Sequence, residues 1–283
     1  MKADFHFHSV YSDGAETPKE LVRNYQKLGF KILALTDHNT IAGFEELKKE
    51  AEQKNIKAIL GVELSAQYQG IHLHLMAYNF DQKKMMPLLQ KIQRRRVSET
   101  KQKIAKLQKL GFDISWQALI EFFPYTRYWG NKHLLNFLKK DEKNRALLQK
   151  FSPRLDLWEL IEKLFGRGAP AFVEEEYLDV FEVLEKAKKA NALVSIAHPA
   201  MQLRYDQDYI IKELAQRGLD AIEAVSLQHN WDNIVHYQML AKKLKLKITA
   251  GTDFHEKVDF IEWASDPRSI WDLPESFDIS WIK

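Results

Sequence analysis

Two apolar segments at opposite ends of the chain close on the same kinds of residue. Ala3-Asp4-Phe5-His6-Phe7-His8 runs into Ser12-Asp13-Gly14, and Ile248-Thr249-Ala250-Gly251-Thr252-Asp253-Phe254-His255 ends on an Asp-x-His pair. Side chains at i and i+2 of a strand point to one face, so each segment can present two metal donors together. Interior segments repeat the device: Asp37 and His38 follow residues 32–36, Glu63 follows 58–62, and His198 follows 192–197. His72 and His74 share a face of a strand over 71–78, and geometry leaves either as a donor. Imidazole and carboxylate together suit Zn, Mn or Fe, and a carboxylate can bridge two ions.

No rival catalytic device competes with this set. The chain has no Gly-x-Ser-x-Gly elbow, no phosphate-cradling glycine loop ending in Lys-Ser or Lys-Thr, no dinucleotide fingerprint and no His-Glu-x-x-His helix. The attacking group is then expected to be water. A bound metal lowers the pKa of its water toward neutrality, and a cluster of ions can also clamp a phosphoryl oxygen.

The elements that must position these residues alternate as a parallel α/β architecture does. Residues 5–9 read as a strand. Thr17, Pro18 and Glu20 then form a helix start, with an N-cap, a proline at the first helical position and a capping-box acid. Residues 32–36 are an apolar strand of the kind buried on both faces, a helix follows over 41–54, and 58–62 and 71–78 are strands. After Asp81 the chain turns basic, helical and aromatic, which we read as an inserted subdomain. Further strands are expected over 192–197, 219–225 and 245–250. The resulting division is a barrel domain over 1–86 plus 168–283, with a helical cap over 87–167.

Composition narrows the setting. The 283 residues include no cysteine, so neither disulfides nor thiolate metal sites are available, which fits a reducing cytoplasm. No apolar run approaches the ~18 residues of a spanning helix, and the mean hydropathy is −0.41; no membrane partner is expected. The 42 Lys and Arg against 39 Asp and Glu leave a net charge of +3. Ten of the cations lie from Lys83 to Lys109 against the single acid Glu99; this stripe either draws in phosphates or forms a solvated helix face. The aromatics from Phe122 to Trp129 either stack on a base or pack the cap.

With these residues in view, the chain resembles the PHP (polymerase and histidinol phosphatase) superfamily. Its four motifs correspond here to His6-Phe7-His8 with Ser12-Asp13-Gly14, Thr36-Asp37-His38-Asn39-Thr40, Ala197-His198-Pro199, and Gly251-Thr252-Asp253-Phe254-His255. The resemblance implies a distorted seven-stranded β/α barrel holding two or three divalent ions, Mn, Zn or Fe. It assigns His6, His8, Glu63 and Asp253 to one ion, Glu63, His74 and His198 to a second, and Asp13, His38 and His255 to a third. It prefers His74 to His72 and makes Asp37 a supporting partner. Catalytic roles fall to Asp13, His38, Glu63 and His255.

Among such proteins the single barrel with a helical insertion is similar to phosphoesterases of small nucleotides, including nucleoside monophosphates and 3',5'-bisphosphates. That implies hydrolysis of a phosphomonoester by a hydroxide bridging the ions. The alternatives are an exonuclease or binding module for short RNA ends, and a phosphatase of histidinol phosphate or a phosphosugar. Arg127, His133, Arg204 and His229 are the candidates for substrate contacts. Relatives tend to have Gly-Arg-Pro-His where this chain has Gly130-Asn131-Lys132-His133; Asn lacks the charge, and Lys lacks the planar fork, with which Arg grips a second phosphate.

Overall fold

Residues 2–256 are described in the computed structural model; the part of the expected barrel domain beyond 256 lies outside them. Seven strands form one sheet in chain order. They are β1 (Lys2–Phe7), β2 (Phe30–Leu35), β3 (Lys57–Tyr68), β4 (Ile71–Tyr78), β5 (Leu193–Ile196), β6 (Ala221–Ser226) and β7 (Lys247–Gly251). Helices α1 (Pro18–Lys27) and α2 (Phe44–Gln53) link the first three strands. Thr17 caps α1 as expected, its hydroxyl accepting from the Glu20 N–H while Glu20 accepts from the Thr17 N–H.

The chain divides into two compact units. The first comprises the residues up to Gln90 and those from Tyr177 onward; the second is Lys91–Glu176. Helix α3 (Gln82–Lys109) begins in the first and ends in the second, which also contains α4 (Trp116–Phe122), α5 (Asn131–Leu138), α6 (Glu142–Gln149) and α7 (Leu157–Phe165). The first unit is completed by α8 (Val180–Lys189), α9 (Asp208–Gln216) and α10 (Trp231–Leu244). Among the described residues no helix is long and apolar enough to cross a membrane.

The expected barrel is present, but not as a uniformly parallel one. β4 runs antiparallel to both β3 and β5, while the other pairings are parallel. A two-residue connection from Tyr68 to Ile71 is too short for a parallel crossover and forces a hairpin. This reversal places the first half of β4 at the rim where the other strands end.

Two apolar layers show how the strands face. Ile32 and Ala34 pack with Ala3, Phe5, Ile59, Met76, Tyr78 and Ala250, residues drawn from the strands and so enclosed by them. Leu33 and Leu35 pack instead with Leu21, Val22, Leu47 and Ala51 of α1 and α2. β1 changes face part-way: Phe5 belongs to the inner layer and Phe7 to the outer one. A regular strand would put both on one side. The pairing with β2 slips between Asp4 and Phe7, and such a bulge re-aims the residues beyond it, sending Phe7 outward.

The sheet nearly closes where β1 meets the end of β7. The His8 N–H donates to Phe254 O at 2.9 Å and the Asp253 N–H to His6 O at 2.8 Å. Asp4, fully buried, ties the seam from below, accepting from the Tyr25 hydroxyl at 2.6 Å, the Thr252 N–H at 3.1 Å and the His6 N–H at 3.0 Å. Burial outweighs these bonds and pushes its carboxyl from 3.8 up to about 6. The folded chain therefore keeps a proton on Asp4 that the unfolded chain releases, and this contribution to stability falls as pH rises from about 4 to 6. In Asp4→Asn the fall is absent. Unfolding free energies of variant minus wild type should then climb by up to about 1.4 kcal/mol per pH unit across that window; a difference that ignores pH would show that Asp4 does not titrate there.

Candidate metal centre

At the rim, Glu63 is the point on which the other side chains converge. It has no exposure, and its Oε1 lies 2.8 Å from His74 Nδ1 and 3.1 Å from His198 Nε2. Its Oε2 lies 2.8 Å from His38 Nδ1, 3.3 Å from His8 Nε2 and 3.5 Å from His6 Nε2. Burial raises the pKa of this carboxyl, and the imidazoles of His74, His38 and His6 more than reverse that, holding it well below the usual range.

Two further carboxylates flank the centre. Asp253 Oδ1 is 3.1 Å from His8 Nε2 and 3.3 Å from His6 Nε2. Asp13 Oδ1 is 3.4 Å from His255 Nε2, 3.8 Å from His38 Nε2 and 4.0 Å from His8 Nδ1. Burial, helped by the nearby His255 and His38, pushes the His8 imidazole down to about 3, so it is neutral and has a lone pair to offer.

All nine sequence candidates for metal binding thus meet at one rim of the first unit. Their donor atoms fall into four overlapping sets within 4.8 Å: His8, Asp13, His38 and His255; His6, His198 and Asp253; His6, His8 and Glu63; His38, Glu63 and His74. Compared with the expected assignment, His198 groups with His6 and Asp253, and His8 also joins the Asp13 set. The donors are six imidazoles and three carboxylates, a composition that suits borderline divalent ions. Glu63 Oε2 and His74 Nδ1 are buried without an aligned hydrogen bond, although each lies within 2.8 Å of a ring nitrogen or a carboxylate oxygen. Close approaches of nitrogen and oxygen that lack hydrogen-bond alignment fit a group held between them. His74, not His72, reaches Glu63; the His72 ring stacks on Tyr177 at 4.0 Å.

Backbone conformation supports this placement. His198 has φ 23°, Asp253 φ 56° and Asn39 φ 53°, left-handed values that cost roughly 1–3 kcal/mol each and cluster at functional sites. Asp37 accepts from the Ser9 N–H and hydroxyl, both at 2.7 Å, and from the Ser12 hydroxyl at 2.6 Å, anchoring the loop that carries Asp13. Gln202 accepts from the His74 N–H at 3.1 Å and turns its amide toward His198 Nδ1 at 3.2 Å.

One buried residue escaped the sequence reading. Glu223 on β6 has no exposure and holds its carboxylate 3.1 Å from His6 Nδ1. Its signal was a charge inside the apolar run Ala221-Ile222-Glu223-Ala224-Val225, which ordinary burial does not explain.

Of the four candidate substrate residues, His229 and Arg204 belong to the first unit. His229 is buried with both ring nitrogens engaged by backbone: Nε2 accepts from the Ala200 N–H at 3.3 Å and Nδ1 donates to Ala224 O at 3.0 Å. Contact with phosphate through this ring would break those bonds. Arg204 is exposed and pairs with Asp206 at 3.1 Å. The other two belong to the second unit, where His133 Nδ1 accepts from the Gly130 N–H at 3.0 Å and Arg127 donates to Pro124 O and Thr126 O. In that unit Arg96 and Lys103 of the basic stripe are turned inward onto Glu175, at 2.9 and 2.6 Å, so the stripe is not wholly a solvated face. Lys103 also donates to Asn131 at 2.8 Å, and Tyr128 packs under Arg96.

The sequence profile of the PHP domain matches residues 4–123. A 5'-3' exoribonuclease of Haemophilus influenzae is 30% identical over 271 residues, spanning 92% of this chain and 92% of the relative. A 3',5'-nucleoside bisphosphate phosphatase of Chromobacterium violaceum is 25% identical over 259 residues, spanning 89% and 86%. Among solved structures, an amidohydrolase from Chromobacterium violaceum with bound sulfate and no metal superposes with a TM-score of 0.77 at 24% identity, covering 91% of this chain and 88% of the other. That last likeness is one of fold.

The tightest approach in the centre is at Gly251, where an added Cβ would lie 2.2 Å from His6 Cβ and 2.6 Å from a Glu223 oxygen. Gly251→Ala should therefore cost about 1–3 kcal/mol in urea unfolding and reduce bound metal. Wild-type values for both would mean that β7 can retreat from His6 without consequence.

Proposed function

The chain belongs to the PHP domain family, and from that premise we propose that it removes phosphate from small nucleotides, either nucleoside monophosphates or 3',5'-bisphosphates. The observation that carries this reading is the convergence of six imidazoles and two further carboxylates around buried Glu63. Such a set suits a metal-dependent phosphoesterase, and cleavage of a phosphoester is common to the exoribonuclease and the nucleoside bisphosphate phosphatase that the chain resembles. Divalent ions, when bound there, supply a Lewis acid that activates water and neutralises charge on phosphoryl oxygens. His6, His8, His74, His198, Glu63 and Asp253 are assigned to hold them, together with His38.

The remaining assignments follow exposure. Asp13 and His255 are about a quarter exposed, whereas Glu63, His6 and His8 are sealed, so the ester must arrive on the Asp13 side. There Asp13 and His255 orient the incoming water and the phosphoryl group. The water oxygen bonds to phosphorus, the phosphorus–ester-oxygen bond breaks with its electron pair on the ester oxygen, and the proton lost by the water is passed by Asp13 and His255 to that oxygen.

A second reading, removal of nucleotides from the 5' end of short RNA, is favoured by the name of the 30%-identical relative. Both are tested by measuring released phosphate or nucleotide from monophosphates, 3',5'-bisphosphates, 5'-phosphorylated short RNA and histidinol phosphate. Metal-stripped protein should be inactive and recover with Mn, Zn or Fe. Asp13→Ala or His255→Ala should lower kcat by about 100-fold or more. Turnover by the stripped protein would defeat the proposal, and RNA cleavage without mononucleotide hydrolysis would select the second reading.

A further inference from the structure

Glu223 makes two kinds of contact with the metal centre, and neither is that of a ligand. Its Oε1 and Oε2 lie 3.1 and 3.2 Å from His6 Nδ1, and Oε2 also accepts from the His198 N–H at 2.7 Å. His6 and His198 come from β1 and from the turn after β5, distant in sequence, and both belong to the donor set completed by Asp253. The other side of the His6 ring faces inward, with Nε2 3.2 Å from His8 Nε2 and 3.3 Å from Asp253 Oδ1.

A carboxylate oxygen facing a ring nitrogen accepts its hydrogen, so Nδ1, 3.1 and 3.2 Å from the two Glu223 oxygens, is the nitrogen committed to carrying a proton. That makes Nε2, which faces the cluster, the nitrogen whose lone pair a bound metal would take. The second contact acts on shape: His198 stands at φ 23°, and the 2.7 Å bond from its N–H secures that strained turn.

We propose that Glu223 is a positioning residue for the metal centre, setting the His6 tautomer and fixing the His198 turn through one carboxylate. This rests on the proposed metal-dependent reading of the site. It concerns the assembly of the site and is read out by metal binding, not by the substrate chosen.

Glu223→Gln separates this role from simple packing, because it keeps the shape and changes one acceptor into a donor. The amide oxygen can stay on the His198 N–H, which turns the NH2 group toward His6 Nδ1, a donor against a donor. Moving the ring proton to Nε2 relieves that clash and removes the lone pair from the cluster. The experiment compares wild type, Glu223→Gln and Glu223→Asp as full chains. Histidine nitrogen shifts of the Zn-loaded protein report which His6 nitrogen carries the proton, chelator competition with Mn or Zn gives affinity, and thermal unfolding of the metal-free protein monitors the fold.

We expect the Nδ1–H form in wild type, a shift toward Nε2–H in Glu223→Gln, and a loss of metal affinity of about 10- to 100-fold. Glu223→Asp, which keeps an acceptor-only group, should recover part of it and serves alone if the Gln variant does not fold: it should then bind more weakly than wild type with His6 still Nδ1–H. Unchanged affinity and tautomer in Glu223→Gln, with or without a lower melting temperature, would overturn the proposal, as would wild-type affinity in Glu223→Asp. Failure of every nucleotide in the phosphate-release panel would leave these binding results intact and would count against the substrate reading only.

Discussion

A carboxylate sealed from water must be matched by its surroundings or it will not remain charged. For Glu63 the match is five imidazoles within 3.5 Å. An unpaired ion at such a place would cost several kcal/mol, so each strand end that delivers a ring to Glu63 offsets part of that cost. The same crowding gathers nitrogen and oxygen donors that could hold divalent cations, and Glu63 has an oxygen facing each of two donor groups. Folding and metal capture are linked here because one buried charge demands the arrangement that serves both.

Behind this layer stands a second set of buried acids that hold the donor residues from outside the cluster. Asp4 binds the seam between β1 and β7, Asp37 holds the Ser9 to Ser12 loop, and Glu223 joins His6 to the His198 turn. Each accepts at least three hydrogen bonds from groups next to a donor residue. Burial raises Asp37, like Asp4, to about 6, so neither rests in a site tuned for the anion. Together with Glu223 they accept from the backbone N–H groups of His6, Ser9, Thr252 and His198, the last in a left-handed conformation.

The second unit follows the same rule with a different outcome. It has its own apolar cluster, including Leu107, Leu119, Leu135, Leu148, Leu160 and Leu164, and inside it Glu175 binds both Arg96 and Lys103. A stripe that reads as uniformly basic in sequence is therefore divided. Arg94, Lys101 and Lys109 are exposed, while Lys103 is buried on a carboxylate about seventy residues away. Charge available to a ligand cannot be counted from composition when a distant acid has already neutralised it.

The linear chain was sufficient for the donor types, the apolar strands that lead to them and the capped start of α1, because these depend on local periodicity and on side-chain chemistry; it did not show that β3 runs on past Glu63 to Tyr68. It also carried the motifs that mark the family. It did not show the slip in β1 that separates Phe5 from Phe7, the reversed direction of β4 at the rim, or the partners of His229 and Arg96. Nor did it show that donors from six segments group as His6 with His198 and His8 with Asp13. Those features arise from pairing between strands and from contacts between residues far apart in sequence, where closure of the sheet and matching of buried charge act on all segments at once.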